Sequence, residues 1–248
     1  MIKILKWLGI IIGSIIAIFL IIGLIANESK PIGETGEKAD DLARMMLQAI
    51  DKPAWDSTRY VRWTFKGMHE FMWDKERNLV KVNWDDNEAL VDLDEITGQA
   101  FVNGNQLSDV ENDEKVRKAW EYFCNDSFWL NAPAKAFDPG TERSIIKMDD
   151  GSEALMVSYM SGGVTPGDSY LWILDEKGMP KSWKMWVKII PVGGIGWTWE
   201  DWTKLPSGAK ISTLHQNPLL NIDITNLMGS QDLQKLGYNS DPFAAIVN

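Results

Sequence analysis

The sequence predicts an α+β fold that is mainly antiparallel β-structure, preceded by one transmembrane helix. Three observations predict it: an uncharged apolar run near the N-terminus, many short segments with alternating apolar residues, and two segments of helical period. A large twisted sheet tends to curl, because curling buries its apolar face. We therefore expect a curled, half-open barrel of about 11 strands, with both helices on its concave side.

Residues 7–26 form the predicted transmembrane segment because they contain no charged residue. At about 1.5 Å per residue, a helix of this length spans roughly 30 Å, the thickness of the hydrocarbon core of a bilayer. Lys3 and Lys6 precede the run and Glu28 follows it, which predicts a cytoplasmic N-terminus and a periplasmic or extracellular domain. A cleaved signal peptide is the alternative, although its apolar region is normally shorter. We assign residues 1–27 to the anchor.

The rest of the chain divides into a tether, one domain and a tail. Residues 28–38 are polar and contain one proline and two glycines, which predicts a short tether. The domain is assigned to residues 39–216, and it opens with an amphipathic helix over residues 39–50 that Pro53 ends. Residues 217–248 have no clear period, and we assign them to a C-terminal tail or latch.

The period changes to two after this helix, and about five strands are predicted before residue 103. They are separated by turn-forming clusters such as Asp85–Asn87. A second helix follows, in which Ser108 and Glu111 match a capping box. Strands then resume, with predicted ranges of about 142–148, 154–160, 169–175, 181–190, 195–203 and 209–216.

Composition limits the classes of partner. The chain carries 25 Lys and Arg against 35 Asp and Glu, a net charge of −10. A chain this acidic repels phosphate backbones, so we expect no nucleic-acid partner. Cys124 is the only cysteine, which rules out an intrachain disulfide.

Residues with catalytic or metal-binding chemistry are sparse. His69 and His215 lie far apart, without a His-x-x-x-His or Cys-x-x-Cys pair, so we expect no metal site. His69 is expected to be a satisfied, partly buried side chain, and Cys124 a buried structural thiol. The glycine-rich stretch 191–196 lacks the Lys-Ser/Thr of a phosphate loop and predicts a strand corner or β-bulge. We therefore predict no catalytic residue, no cofactor and no enzymatic activity.

Aromatic residues on strand faces remain as the candidate site. One interpretation is that they form the core against the two helices. The other is that part of this surface lines a cleft for an apolar ligand, since pockets are lined mainly by apolar and aromatic groups. The candidate ligand-binding residues are Trp63, Phe65, Phe71, Trp73, Trp84, Trp183, Met185, Trp197 and Trp199.

The order of a membrane-targeting segment, a helix, strands, a second helix and further strands resembles the lipoprotein-carrier fold of the LolA and LolB type. The stretch Phe128-Trp129-Leu130-Asn131-Ala132-Pro133, continuing to Phe137–Gly140, is similar to a segment of LolA-like proteins of Gram-negative bacteria. The resemblance implies an unclosed barrel with helices as a lid, an apolar cavity for acyl chains, and no catalysis. The carrier itself is soluble and the acceptor has a lipidated cysteine, whereas this chain has a predicted helical anchor.

These observations predict a membrane-anchored, extracytoplasmic binding domain for an acyl chain, lipid or lipoprotein. The alternative is a protein-interaction or assembly module with a fully packed barrel. An empty apolar cavity of several hundred Å³ would favour the binding domain. The third hypothesis is an enzyme, and His69 or His215 beside two carboxylates in an open cleft would favour it.

Overall fold

The computed structural model describes residues 27–162 and 164–247, whose strands form antiparallel sheets. In chain order the strands are β1 (Tyr60–Phe65), β2 (His69–Asp74), β3 (Leu79–Trp84), β4 (Asn87–Asp92), β5 (Thr97–Val102), β6 (Asn105–Gln106), β7 (Thr141–Lys147), β8 (Glu153–Tyr159), β9 (Ser169–Leu174), β10 (Pro180–Trp186), β11 (Ile195–Thr198), β12 (Glu200–Lys204), β13 (Lys210–Gln216) and β14 (Asn221–Ser230). The larger sheet has nine strands in the order β12-β13-β14-β1-β2-β3-β4-β5-β6, and the smaller has five in the order β11-β10-β9-β8-β7.

The helices of the described ranges are α1 (Glu37–Ala49), α2 (Lys52–Ser57) and α3 (Asp109–Asn131), with short 3-10 helices at Ala132–Lys135 and Leu233–Leu236. Helix α1 agrees with the predicted helix and buries Ala39, Ala43 and Met46, which share one face at the helical period. It packs against β7 and β8, whereas α3 packs against β3, β4, β5 and β13. The two long helices therefore lie mainly on different sheets.

Helix α3 is not capped as the sequence predicts. The Ser108 hydroxyl donates to the Asp109 carboxylate at 3.1 Å, and no side chain caps the helix. Asn112 instead fixes the first turns to β5: its Oδ1 accepts from the Ala100 N–H at 2.8 Å, and its Nδ2 donates to the Gly98 carbonyl at 3.2 Å. The helix then continues well beyond Phe123, as far as Asn131.

The two sheets meet where one stretch of chain passes from the small sheet to the large one. Strand β11 pairs with β10, β12 pairs with β13, and Trp199 lies between β11 and β12. The Trp199 N–H still donates to the Lys181 carbonyl of the small sheet at 2.8 Å. The Glu200 carbonyl accepts from the Ser212 hydroxyl of the large sheet at 2.6 Å. A bend of this kind forms a corner between two sheets.

One hydrophobic core lies between the sheets and the helices. The large sheet contributes Trp63, Phe71 and neighbouring aliphatic side chains, and the small sheet contributes Trp172 and Trp183. Helix α3 adds side chains such as Leu130. This arrangement buries the apolar strand faces that the alternation in the sequence identifies.

Chain segments also cover the second face of each sheet. Residues 231–247, which we call the C-terminal latch, place Leu236 and Phe243 on the outer face of the large sheet. Residues 27–36, which we call the N-terminal strap, cross the small sheet. The Lys30 ammonium donates to the Ser169 hydroxyl at 3.2 Å, and Glu34 forms an antiparallel bridge with Ile145 of β7. The predicted tether is thus fixed to the domain, and the region predicted as a tail supplies strand β14 inside the large sheet.

The predicted fold class needs correction. The fold is α+β with antiparallel sheets, but a single curled, half-open barrel of about 11 strands is wrong, because the strands divide into sheets of nine and five. The physical reason is that alternation specifies which face of a strand is buried and not which strand it pairs with. The bend at Trp199 and the long helix α3 between β6 and β7 separate the two sheets.

The predicted membrane anchor also needs correction. No helix in the described part of the chain is long and apolar enough to cross a bilayer. Residues 7–26, for which the spanning helix is predicted, lie outside the described residues. The described residues therefore give no support to a single-pass anchor with a cytoplasmic N-terminus and a periplasmic or extracellular domain.

Candidate ligand cavity

A cavity of about 490 Å³ lies between the second half of α3 and strands β8, β9 and β10 of the small sheet. The helix lines it with Glu121, Cys124 and Phe128, which share one face at spacings of three and four residues. Tyr170 of β9 and Met185 of β10 are directly paired and line the opposite wall. The cavity is therefore enclosed by a helix face and a strand face.

Phe128 contacts the aromatic residues of the sheet wall. Its ring centroid lies 5.2 Å from that of Tyr159, 4.8 Å from that of Tyr170 and 5.8 Å from that of Trp183. Burial raises the pKa of both tyrosine hydroxyls above its ordinary value. Because both phenols remain neutral at physiological pH, this part of the wall is uncharged.

The mouth of the cavity carries apolar side chains that are open to solvent. Ile189 is 69% exposed and Val164 is 48% exposed, and both line the cavity. Exposed apolar groups of this size beside a cavity are characteristic of a binding surface. The charged groups at the mouth are partly neutralised, since Lys135 forms an ion pair with Asp138.

Asp168 connects the two loops at the mouth. One carboxylate oxygen accepts from the Lys188 N–H at 2.9 Å, and the other accepts from the Thr165 hydroxyl. The carboxylate, which belongs to a residue only 6% exposed, therefore joins the β8–β9 loop to the segment that follows β10.

Cys124 lines the cavity and is a free thiol. Burial, the larger effect, raises its pKa to about 11, although the nearby Lys135 acts in the opposite direction. A thiol with this pKa is almost entirely protonated near neutral pH and is a poor nucleophile. The expectation of a buried structural thiol is met only in part, since Cys124 is half-buried and lines the cavity.

The structure brings two of the predicted ligand-binding residues, Trp183 and Met185, to the cavity. The other predicted residues lie elsewhere in the core. Trp63 and Phe71 stack at 4.6 Å, and together with Phe65, Trp73 and Trp84 they belong to the large sheet. Trp63 and Phe71 also border a separate polar hollow of about 150 Å³ that does not join them to the cavity residues. Trp197 and Trp199 pack around Trp129 and His215.

Sequence reasoning missed several lining residues, among them Phe128, Tyr159, Tyr170, Val187 and Ile190. The apolar stripe through Val116 and Phe123 continues at the helical period to Leu130, whereas Phe128 shares a face with Glu121 and Cys124, so no periodic signal marks it. The others come from strand ends and a loop, and only the tertiary structure brings them together.

Both histidines lie outside the cavity. His69 Nδ1 lies 2.6 Å from Asp126 Oδ2, and its ring lies 3.9 Å from that of Tyr122. His215 is fully buried, and its Nδ1 donates to the Thr198 carbonyl at 3.2 Å. Among the described residues, neither histidine lies beside two carboxylates in an open cleft. Within the described ranges, no group of three His, Cys, Asp or Glu side chains could hold a metal ion.

Comparison with known proteins does not assign the chain to a family. No family model and no curated protein matches the sequence. Among solved structures, the chain is similar to a DUF1329 family protein from Desulfovibrio piger ATCC 29098, with 10% identity and a TM-score of 0.39. The similarity covers 78% of this chain and 94% of that one. A likeness at this level identifies neither a family nor an activity, so the lipoprotein-carrier fold remains a resemblance.

Proposed function

We propose that this protein binds the acyl chain of a lipid or lipoprotein in the cavity between α3 and the small sheet, without converting it. The observation that supports the proposal is the cavity of about 490 Å³, with an aromatic wall and an apolar mouth. Ligand pockets of roughly 300–1,000 Å³ are usual for small molecules, and they are lined mainly by apolar groups.

The chemistry of the wall favours binding over catalysis. Phe128, Tyr170 and Met185 offer apolar surface, and Cys124 is held as a neutral thiol by burial. The His69–Asp126 pair, which could move a proton, lies outside the cavity. An acyl chain needs only apolar contact, and each methylene removed from water contributes about 0.8 kcal/mol.

The second candidate is a protein-interaction or assembly module without a ligand. That function requires a fully packed core, and the open space beside Phe128 favours ligand binding instead. If the second candidate is correct, partner proteins co-purify with the chain and short amphiphiles do not bind to the cavity.

A chain-length series tests the proposal. The probes are n-alkyl maltosides, used below their micelle concentrations, with binding measured by isothermal titration calorimetry on the full chain. We expect affinity to rise about fourfold for each added methylene until the cavity is full. An affinity that does not depend on chain length would rule out an acyl-binding cavity.

A matched pair of valine variants locates the site. Val187 lines the cavity, whereas Val110 is 71% exposed at the start of α3 and does not. We expect Val187→Asn to weaken binding about tenfold, because it replaces apolar wall with an amide, and Val110→Asn to have no effect. Equal effects of the two variants would place the binding site elsewhere.

A further inference from the structure

The N-terminal strap is hydrogen-bonded to the loop after β10, which contributes residues to the mouth of the cavity. The Glu28 N–H donates to the Gly193 carbonyl at 3.0 Å, and the Gly193 N–H donates to Asn27 Oδ1 at 2.8 Å. The indole N–H of Trp186 donates to the Glu28 carbonyl at 2.8 Å. The Lys184 ammonium lies 2.7 Å from both oxygens of the Glu28 carboxylate. We call this set of contacts the Glu28 clasp.

The glycine-rich stretch 191–196 allows Glu28 to approach the loop backbone closely. A Cβ atom on Gly193 would lie 2.7 Å from the Glu28 carbonyl oxygen, and one on Gly194 would lie 2.6 Å from the Glu28 Cβ. Gly194 also has a φ of +81°, which disfavours any other residue. Any side chain at these two positions would displace Glu28. The stretch that the sequence predicts as a strand corner or β-bulge is therefore also the part of the loop that contacts the strap.

The part of this loop that precedes Gly193 lines the cavity. Val187, Ile189 and Ile190 line it, and Ile189 is largely exposed. Within the loop, the Ile190 N–H donates to the Val187 carbonyl and closes a turn. The start of the loop is held by Asp168, which accepts from the Lys188 N–H, and its end is held by the clasp at Gly193. The base of the loop is also closed by the β10–β11 hairpin, in which the Gly194 N–H donates to the Met185 carbonyl at 2.9 Å, so the two attachments act on the part of the loop between residues 187 and 193.

We propose that Glu28 is a positioning residue that controls exchange of ligand with the cavity. Glu28 does not line the cavity; its carboxylate fixes the strap to Lys184 of β10, and the strap backbone in turn binds Gly193 of the loop that carries Val187, Ile189 and Ile190 at the mouth. Release of the clasp lets this loop move and opens the mouth more often. The inference rests on the proposed function, because it requires a ligand in the cavity. It adds a role for the strap, which the sequence predicts only as a tether.

Stopped-flow fluorescence tests the proposal, with the full chain and the neutral hydrophobic dye N-phenyl-1-naphthylamine. Glu28→Gln and Lys184→Met each remove the ion pair. Partly exposed pairs of this kind contribute up to about 1 kcal/mol, so we expect association and dissociation rates both to rise two- to fivefold. The equilibrium affinity stays unchanged, because the variants lower a barrier and leave the cavity wall intact. The double variant exchanges no faster than either single variant, because both remove one interaction.

Glu34→Gln is the matched control. Glu34 lies on the same strap and pairs with Lys147 at 3.6 Å, and neither residue lines the cavity. We expect it to leave the exchange rates at their wild-type values. If Glu28→Gln also leaves the rates unchanged, or lowers affinity without changing the rates in parallel, the gating role is wrong while the binding function stands. If the dye and the alkyl maltosides do not bind at all, the proposed function itself fails.

Discussion

At the scale of single residues, His215 is a fully buried ionisable side chain. Its ring is packed against Trp129 and Trp199, with centroid distances of 5.4 Å and 4.3 Å. Because the Thr198 carbonyl can only accept, Nδ1 carries the proton and Nε2 is an acceptor without a hydrogen-bond partner among the described residues. Burial, the largest effect, lowers the pKa of His215 to about 4.

This shift predicts an acid-sensitive fold. The unfolded imidazole has a pKa near 6.5, so between pH 6.5 and 4 the unfolded state binds more protons than the folded state. The free energy of unfolding therefore falls as the pH is lowered through this window, by roughly 3 kcal/mol from this group. Urea denaturation across the window checks it. The His215→Leu variant should lose this part of the pH dependence, and parallel curves for the two proteins would contradict the assignment.

At the scale of elements, the C-terminal latch is held by one buried ring and one ion-pair network. Phe243 is fully buried on the outer face of the large sheet. Arg77 donates to both oxygens of Asp241, at 2.6 Å and 2.9 Å, and to the buried carboxylate of Asp74 at 2.7 Å. The Arg77 hydrogen bond, the largest effect, lowers the pKa of Asp241. The latch therefore protects sheet surface that would otherwise face water.

Removal of the Phe243 ring tests this element. We expect Phe243→Ala to lower the free energy of unfolding by about 3 kcal/mol, because it empties a buried site and releases the latch. Hydrogen exchange should also increase at Tyr60 and Met72 beneath it. Val110→Ala, a truncation of an exposed side chain, serves as the control and should change stability by less than about 0.5 kcal/mol. Equal stability of the two variants would mean that the latch is not part of the folded unit.

At the scale of the whole molecule, the cavity lies where α3 leaves the large sheet and crosses the small sheet. Helix α3 is packed mainly on the large sheet, and its last turns reach the small sheet through Phe128. A ligand in the cavity therefore contacts the helix and the small sheet at once. Cys124, the only cysteine of the chain, lies on the helix side of this space and can report whether it is filled.

We expect alkylation of Cys124 by iodoacetamide to be slow at neutral pH and to accelerate towards its pKa of about 11, as the thiolate forms. A saturating alkyl maltoside should slow the reaction further by blocking access. Mass spectrometry of the intact chain measures the modification, and urea-unfolded protein provides the reference rate of an accessible thiol. If the ligand binds and leaves the alkylation rate unchanged, it occupies a different site.

Much of the secondary structure follows from local patterns. The helical period of Ala39, Ala43 and Met46 predicts α1, and alternation predicts the hairpins β1 to β5 with their turns. Local patterns fail at positions where a segment has no period of its own. Strand β14 is an example, since it lies between β13 and β1 in the large sheet although only Ile222 and Ile224 alternate in its sequence.

The candidate site was less predictable than the strands. Trp183 and Met185 lie in the cavity, while Trp63, Phe71 and Trp199 pack in the core. The reason is that a buried strand face has the same appearance in the sequence whether it meets a helix or an empty space. The position of the empty space depends on where α3 crosses the small sheet, because the helix covers only part of the apolar face of that sheet.

The sequence alone therefore determined the acidic composition, the single thiol, the mainly antiparallel strands and an apolar face on most strands, because these depend on residue type and period. The tertiary structure decided how the strands divide between two sheets, where the cavity lies and how Glu28 reaches Gly193. These features depend on contacts between residues far apart in the chain, such as the 166 positions that separate Asn27 from Gly193. No local period encodes a contact of that range.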